Sequence, residues 1–202
     1  MKLWLFIIVW IVAAVARGQG TDLVAVTSVN SHICLDIRYA TTNNFTGRQV
    51  YPGAKAFLRQ ATAEKLAAVQ ADLERQHIGL KVYDAYRPLS VQRQFWAIMP
   101  DERYVANPIK GSRHNRGSAV DVTLVRLDTG AELPMPSGYD DFSERAHYAW
   151  TNASLEAIQD RSLLRDTMLR HGFAPMPTEW WHFDDTNWLA YDELDVPFSQ
   201  LP

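Results

Sequence analysis

The chain has 202 residues, 47% of them hydrophobic, and a formal net charge of −3 at pH 7. This length suits one domain with a sizeable core, and the slightly acidic balance excludes the basic footprint of a nucleic-acid-binding protein. The single cysteine, Cys34, excludes an internal disulfide.

The N-terminal segment predicts an export signal. Lys2 precedes an unbroken apolar run over residues 3–16, which is shorter than the ~20 residues that a membrane span needs. An A-x-A cleavage pattern lies at residues 14–16. We interpret residues 1–20 as a signal peptide and residues 21–202 as one exported, periplasmic domain without stable membrane insertion; an uncleaved N-terminal anchor is the alternative.

A short strand and a loop follow the signal. Residues 31–40 alternate apolar with polar or small side chains, which indicates a strand. Cys34 has apolar neighbours there, so we interpret it as a buried small hydrophobe and not as a nucleophile. Residues 41–53 are rich in turn formers and predict a loop.

Residues 61–79 show the spacing of an amphipathic helix. Thr62 can serve as its N-cap, and Gly79 can end it. Its apolar stripe consists of Leu66, Val69 and Leu73. The next seven residues, 80–86, alternate like a strand, and Pro88 closes that strand. Helix therefore gives way to strand in this part of the chain.

The remaining elements complete a mixed pattern. Ser90 caps a short predicted helix, and residues 119–125 read as a buried strand whose turn at residues 128–130 leads into a hairpin return. The longest predicted helix spans residues 154–172, and the aromatic run at residues 178–185 is strand-like. We predict a single α+β domain, with helices flanking a mostly antiparallel sheet.

Histidines are the candidate metal ligands, because the chain has no cysteine cluster. A hydrolytic zinc site needs three protein ligands and one open position for water. His77 and His171 lie at the C-termini of predicted helices, where a cation is favoured without any metal, and His32 precedes a strand. Three histidines are left: His114, His147 and His182.

Two motifs add acidic partners to these histidines. In SRHNRGSAVD, residues 112–121, Gly117 permits a sharp turn, and Asp121 lies between valines, where a buried carboxylate needs a compensating charge. In EWWH, Glu179 and His182 would share one face of a helix but not of a strand. Glu179 must therefore lie at a strand's start or on a bend. Taken alone, each motif also fits a purely structural role.

Together the motifs resemble the zinc D-alanyl-D-alanine dipeptidases of vancomycin resistance and their relatives. The shared pattern is S-x-H-x-x-G-x-A-x-D followed far downstream by E-W-W-H. Further similar segments lie at residues 35–47, 83–88 (the D-x-Y-R-P segment), 122–133 and 139–147 (the F-D…E-R-x-H stretch). The resemblance covers nearly the whole mature chain; Ala85, where the family often has glycine, is a departure, as is the export signal.

The resemblance implies a hedgehog/D-Ala-D-Ala peptidase-like fold and a catalytic centre with one zinc ion. His114, Asp121 and His182 match the zinc ligands. Glu179 matches the catalytic base, and Arg87 matches the arginine that faces the scissile carbonyl. The alternative for Arg87 is a surface salt bridge, for example with Asp84.

The implied reaction is hydrolysis of the free dipeptide D-Ala-D-Ala to two D-alanines. Asp140 falls where the family has an aspartate that receives the substrate's amine, and Ser112 falls where a serine helps to hold its carboxylate end. Two alternatives keep the fold. One is an exported D,D-carboxypeptidase acting on peptidoglycan stem peptides; the other is a non-catalytic zinc-binding module, which the presence of both Glu179 and Arg87 disfavours.

Overall fold

A computed structural model describes residues 22–201 of the chain. The predicted signal peptide, residues 1–20, lies outside the described residues. Within residues 22–201, no helix has both the length and the apolar character that crossing a membrane requires.

Strands and helices alternate irregularly along the described chain. The strands are β1 (Leu23–Ala25), β2 (Cys34–Leu35), β3 (Phe57–Arg59), β4 (Ile78–Asp84), β5 (Ala119–Arg126), β6 (Phe173–Met176) and β7 (Glu179–Asp185). The helices are α1 (Val26–Val29), α2 (Gln60–Glu74), α3 (Leu89–Ile98) and α4 (Leu155–Arg170). A 3₁₀ turn, Arg113–Arg116, precedes β5.

The principal sheet has five strands in the order β2-β4-β5-β7-β6. Only β2 pairs in parallel with its neighbour; the other described pairs are antiparallel, and β1 and β3 form a separate antiparallel pair. Helices α2 and α4 contact each other and the sheet. The predicted α+β domain with a mostly antiparallel sheet is confirmed.

The central strand β5 is buried on both faces, from Ala119 to Val125. Its neighbours β4 and β7 are almost as deeply buried, and β7 contributes the indoles of Trp180 and Trp181 to the core. A strand covered on both sides needs apolar residues at nearly every position. Asp121 interrupts this run, so its carboxylate requires polar or positively charged partners.

The start of helix α2 differs from the prediction. The N-cap position is Arg59 and not Thr62, which lies inside the helix. The Thr62 hydroxyl instead donates a hydrogen bond of 2.7 Å to the buried Asp185 carboxylate. The prediction that Thr62 caps the helix is therefore wrong. Its hydroxyl binds Asp185, a residue far along the chain at the end of β7, and does not bind the backbone at the start of the helix.

The end of the same helix also differs. Gly79 lies within β4 opposite Val125 of β5, so the prediction that it ends the helix is wrong. The helix stops at Glu74, and the chain turns into the strand through His77, which has a φ of 57°. A Cβ added at Gly79 would lie 2.6 Å from Leu127 Cδ2, so the close approach of this side chain favours a glycine here.

Three smaller expectations are corrected. Ser90 is not the cap of α3, which begins at Leu89; the Ser90 backbone N–H donates to the Asp195 carboxylate at 2.7 Å. Cys34 is half-buried, not buried, because it lies in the two-residue edge strand β2. The predicted hairpin return after β5 is reduced to a single bridge between Val125 and Glu132.

Candidate metal centre and active site

Three buried side chains from separate elements converge on one point. His114 comes from the 3₁₀ turn, Asp121 from β5 and His182 from β7. His182 Nδ1 lies 3.0 Å from Asp121 Oδ1, and His114 Nε2 lies 3.2 Å from His182 Nδ1 and 3.4 Å from Asp121 Oδ1. Among the described residues, these three form the cluster that can hold a metal ion.

The spacing of the three atoms fits zinc. Ligand atoms at ~2.0–2.1 Å from a tetrahedral ion lie roughly 3.3 Å apart, close to the 3.0, 3.2 and 3.4 Å separations found here. Two imidazole nitrogens and one carboxylate oxygen are a ligand set that zinc accepts in catalytic sites, and they leave a fourth position open. The residues present therefore fit the ion that the sequence motifs suggested.

The β5–β7 ladder places two of these groups side by side. Asp121 and His182 are direct partners in the antiparallel pairing, so their side chains project from the same face of the sheet. His114 reaches them from the 3₁₀ turn, where the Ser112 hydroxyl accepts from the His114 N–H at 3.2 Å. Gly117 ends this turn with a φ of 67°, a conformation that favours glycine.

A hydrogen-bond partner orients each group of the cluster. His114 Nδ1 lies 2.7 Å from the Ala85 carbonyl, and His182 Nε2 lies 2.9 Å from Asp184 Oδ1. The Tyr139 hydroxyl donates to the second oxygen of Asp121 at 2.9 Å. These contacts direct His114 Nε2 and His182 Nδ1 towards the centre, as outer partners do in protein metal sites.

The electrostatics of the cluster favour a positive charge at its centre. Burial opposes ionisation of Asp121, but His114 and His182 hold the pKa of its carboxyl well below the usual range. Burial likewise opposes protonation of His182, but Asp184 and Asp121 raise the pKa of its imidazole above the usual value. The buried carboxylates thus attract a cation or a proton to this point.

A cavity of about 270 Å³ opens over the cluster. The seven residues to which the family resemblance assigns a role all line it: Ser112, His114, Asp121, Asp140, Glu179, His182 and Arg87. Aromatic rings supply much of the remaining wall, among them Phe45 and Trp181. The volume lies near the lower end of the range for ligand pockets, which suits a small substrate.

Glu179 is the first residue of β7 and lies opposite Met176 of β6. The β6–β7 register shifts between Pro175 and Met176. The EWWH motif required Glu179 to lie at a strand's start or on a bend if it is to reach the same site as His182. Glu179 meets this requirement, and both residues line the cavity. Burial raises the pKa of the Glu179 carboxyl to about 8, although His182 lowers it.

Arg87 is held in the cavity wall by a buried network. Its Nε and Nη2 donate to Asp84 Oδ2 at 3.1 and 2.6 Å, and its Nη1 donates to Gln92 Oε1 at 2.8 Å. The expected pair with Asp84 exists, but it is buried and not on the surface. A guanidinium has five N–H groups, so the three bonds to Asp84 and Gln92 do not use all of its donors, and Arg87 also lines the cavity.

Asp140 and Ser112 flank the cluster. Asp140 has a φ of 59°, and its carboxylate accepts from the Phe45 N–H at 3.0 Å and the Tyr39 hydroxyl at 3.2 Å. Burial raises the pKa of Asp140 to about 7, partly offset by the Phe45 hydrogen bond. The Ser112 oxygen accepts from His114, which leaves its proton free to be donated into the cavity.

Comparisons with known proteins place the chain in a family. The family described as "Peptidase_M15: D-ala-D-ala dipeptidase" matches residues 19–200. The chain belongs to this family. It is 34% identical to the D-alanyl-D-alanine dipeptidase of Escherichia coli (strain K12), covering 90% of this chain and 94% of that protein. It is 38% identical to the D-alanyl-D-alanine dipeptidase of Enterococcus faecium, covering 73% and 83%.

Solved structures are more distant. The LdcB LD-carboxypeptidase is 18% identical and aligns with a TM-score of 0.45, covering 84% of this chain and 70% of that one. Membership of the D-Ala-D-Ala dipeptidase family rests instead on the sequence match over most of the chain, and it makes the protein a metallopeptidase.

The site in the structure differs from the sequence prediction at three residues. His147 does not line the cavity; its carbonyl accepts from Arg161 at 3.1 Å. Tyr139 and Asp184, which contact metal-cluster residues, were not singled out by the sequence. A signal for Asp184 existed, since residues two apart on a strand share a face and His182 lies two positions before it.

Proposed function

We propose that the protein hydrolyses the free dipeptide D-Ala-D-Ala with one zinc ion held by His114, Asp121 and His182. The observation that supports this most directly is the convergence of three ligand atoms, within 3.4 Å of one another, under a cavity that Glu179 and Arg87 also line. The match to the dipeptidase family supplies the substrate class.

When bound by these residues, zinc would lower the pKa of a water molecule to about 7 and would polarise the scissile carbonyl. Glu179 is proposed as the general base that accepts the attacking water's proton and then delivers it to the departing amine. A catalytic acid–base group works best with a pKa near the working pH. Burial already brings the Glu179 pKa from its ordinary value to about 8.

Arg87 is proposed to stabilise the negative charge that develops on the carbonyl oxygen. Its guanidinium is fixed by Asp84 and Gln92, so its orientation is set before the substrate arrives. An arginine stays protonated throughout, and donors aligned in advance with a developing oxyanion contribute strongly to rate. An N–H group outside the three bonds to Asp84 and Gln92 carries this role.

The two ends of the dipeptide carry opposite charges, and we propose that a different residue recognises each end. Asp140 pairs with the substrate's ammonium group, and the Ser112 hydroxyl donates to its carboxylate. An N-blocked peptide has no ammonium, so binding it would leave the half-buried Asp140 without a charged partner. A site built around such a pair rejects ligands that lack it. This selects free dipeptides over blocked or longer ones.

Export to the periplasm is also proposed. It is supported by the charged start, apolar run and cleavage pattern of residues 1–20. Fractionation of cells expressing the full chain tests this: the activity should accompany periplasmic markers, and recovery with the cytoplasm would contradict it.

The decisive experiment measures D-alanine release from free D-Ala-D-Ala, from N-acetylated D-Ala-D-Ala and from an N-acetylated tripeptide that ends in D-Ala-D-Ala. We expect release from the free dipeptide only, its loss in chelator, its recovery with one equivalent of zinc, and bound zinc close to one per chain. Efficient release from an N-acetylated tripeptide would instead indicate a D,D-carboxypeptidase. A zinc-replete protein inert on every dipeptide would indicate a binding module.

A further inference from the structure

We propose that Asp184 is a positioning residue for the metal centre, acting through His182. The inference rests on the proposed zinc site. Asp184 Oδ1 lies 2.9 Å from His182 Nε2, on the side of the ring away from the cluster. The opposite ring nitrogen, Nδ1, is the one that faces Asp121 and His114.

The two nitrogens of an imidazole are coupled. When Nε2 carries the proton and donates it to a carboxylate, Nδ1 has its lone pair free for a cation, and the ring cannot rotate without losing the bond. Asp184 therefore fixes both the tautomer and the orientation of His182. A charged acceptor also makes a stronger bond than a neutral one and raises the basicity of the ligand nitrogen.

The second histidine of the cluster has a weaker partner. His114 Nδ1 lies 2.7 Å from the backbone carbonyl of Ala85, which is neutral. Asp84 Oδ2 lies 4.0 Å from the same nitrogen, beyond hydrogen-bond distance. Of the two imidazoles, His182 is thus the one whose outer nitrogen is hydrogen-bonded to a carboxylate. This asymmetry predicts that removing the charge of Asp184 weakens metal binding, since no other carboxylate contacts Nε2 of His182 among the described residues.

Asp184 is itself held from the other side. Arg113 Nε lies 3.6 Å from Asp184 Oδ2, and the Arg113 guanidinium lies over the Trp188 ring at 4.6 Å. Arg113 precedes His114 in the same 3₁₀ turn. Asp184 therefore connects the turn that carries one histidine ligand to the strand that carries the other.

The position suits a variant that keeps the fold. The Asp184 side chain is 22% exposed, and its backbone pairs with Ala119 in the β5–β7 ladder. Asparagine has the same shape and leaves those backbone bonds intact. Asp184→Asn therefore removes the charge behind His182 without removing core packing.

The test measures zinc affinity of the full-length protein by competition with a chromophoric chelator. We expect Asp184→Asn to bind zinc about 10–100-fold more weakly than the wild type. Asp184→Glu, which keeps the charge, should recover part of this loss. Affinity of Asp184→Asn within twofold of the wild type, or an equal loss in both variants, would overturn the proposal.

The chain offers a matched control. Asp72 pairs with His171 Nε2 at 2.6 Å, so it forms another aspartate–histidine contact, and it does not line the cavity. Asp72→Asn should leave zinc affinity unchanged. A comparable loss in this variant would show that the Asp184 effect is a general consequence of breaking such pairs, and would overturn the proposal.

A second measurement needs no variant. In ¹⁵N-labelled, zinc-loaded wild-type protein, the ring signals of His182 should show the proton on Nε2 and ligation through Nδ1; a proton on Nδ1 would contradict the proposal. The outcome is separable from the proposed function. A wild type that binds zinc but leaves D-Ala-D-Ala intact overturns the activity alone, whereas an active enzyme whose Asp184→Asn variant binds zinc normally overturns the positioning role alone.

Discussion

Arg87 and Asp84, three residues apart, form a buried ion pair in which Arg87 Nη2 lies 2.6 Å from Asp84 Oδ2. The Tyr51 hydroxyl donates to the other Asp84 oxygen at 2.9 Å. Asp84 is thereby held at both oxygens, and it holds the guanidinium at two nitrogens. The orientation of Arg87 in the cavity wall is a property of the folded protein and does not depend on the substrate.

Replacing Arg87 with lysine should reduce kcat for D-Ala-D-Ala by roughly 10²–10³-fold, the usual effect of losing one oxyanion donor. Lysine keeps a positive charge for Asp84 but lacks the planar fork. Alanine is a poorer test, because an unpaired buried carboxylate costs about 3–5 kcal/mol. Steady-state kinetics together with zinc analysis checks this. Unchanged kcat at full zinc content would exclude a direct role for Arg87.

Replacing Glu179 with glutamine should lower kcat by roughly 10²–10⁴-fold, because the amide cannot accept the proton of the attacking water. Glutamine has nearly the same shape, so the variant should retain zinc and still bind the dipeptide. Calorimetric titration of the zinc-loaded variant measures that binding while turnover is absent. A variant that turns over at the wild-type rate would remove Glu179 from the mechanism.

Replacing Gly117 with alanine should destabilise the turn that carries His114. Its φ of 67° costs an L-residue about 1–2 kcal/mol, and the new Cβ would lie 2.5 Å from Leu23 Cδ2. Gly130 is the control, because it has a φ of 69° and a Cβ added there would have no neighbouring atom within 4 Å.

Urea unfolding measures the difference between the two glycine variants. Both carry the backbone strain, and only Gly117→Ala adds the steric contact, so it should lose at least about 1 kcal/mol more stability. Equal losses would show that Leu23 moves aside without consequence.

Replacing Asp140 with asparagine should change how stability depends on pH. The carboxyl ionises near 3.9 in an unfolded chain, but burial raises its pKa in the folded protein to about 7. Between these values the folded state binds more protons than the unfolded state, so this group's contribution to stability falls as pH rises from about 4 to about 7. Asparagine removes that decline.

Urea unfolding in chelator at pH 4.5 and pH 8 tests the Asp140 prediction. Relative to the wild type, Asp140→Asn should gain stability on going to the higher pH. Subtracting the two proteins cancels the other titrating groups that they share. A difference that does not change with pH would show that Asp140 ionises at its ordinary value.

Zinc should raise the melting temperature of the wild type and not that of Asp121→Asn. An ion that binds only the folded state at 100 times its Kd stabilises it by about 2.7 kcal/mol. For a chain of this size that corresponds to a rise of about 5–11 °C. Scanning calorimetry with zinc and with chelator provides the comparison. An equal rise in the variant would place the ion elsewhere.

The sequence predicted the residues of the candidate cavity better than it predicted where the helices begin. The residues around His114, Asp121 and His182 carry their chemistry in short contiguous motifs, and the structure brings them together at one cavity. The helix starts depended instead on partners far along the chain. Thr62 bonds to Asp185, and the carboxylate of Asp195 accepts from the first turn of α3.

The three short strands β1, β3 and β6 were not predicted. Each has three or four residues, too few for an alternating pattern to be recognised. Their existence depends on pairing with other strands, such as that of Phe173 with Asp185. Tyr139 was missed for a similar reason, because nothing local indicates that its hydroxyl reaches Asp121.

The pairing of Asp121 with His182 across β5 and β7 has a consequence for how the domain matures. Sliding one strand by a single residue would turn one of the two side chains to the opposite face of the sheet. Only a correctly registered ladder can then capture the ion. Metal binding would therefore stabilise the chains whose central strands have the correct register, and chains with a shifted register would lack this stabilisation.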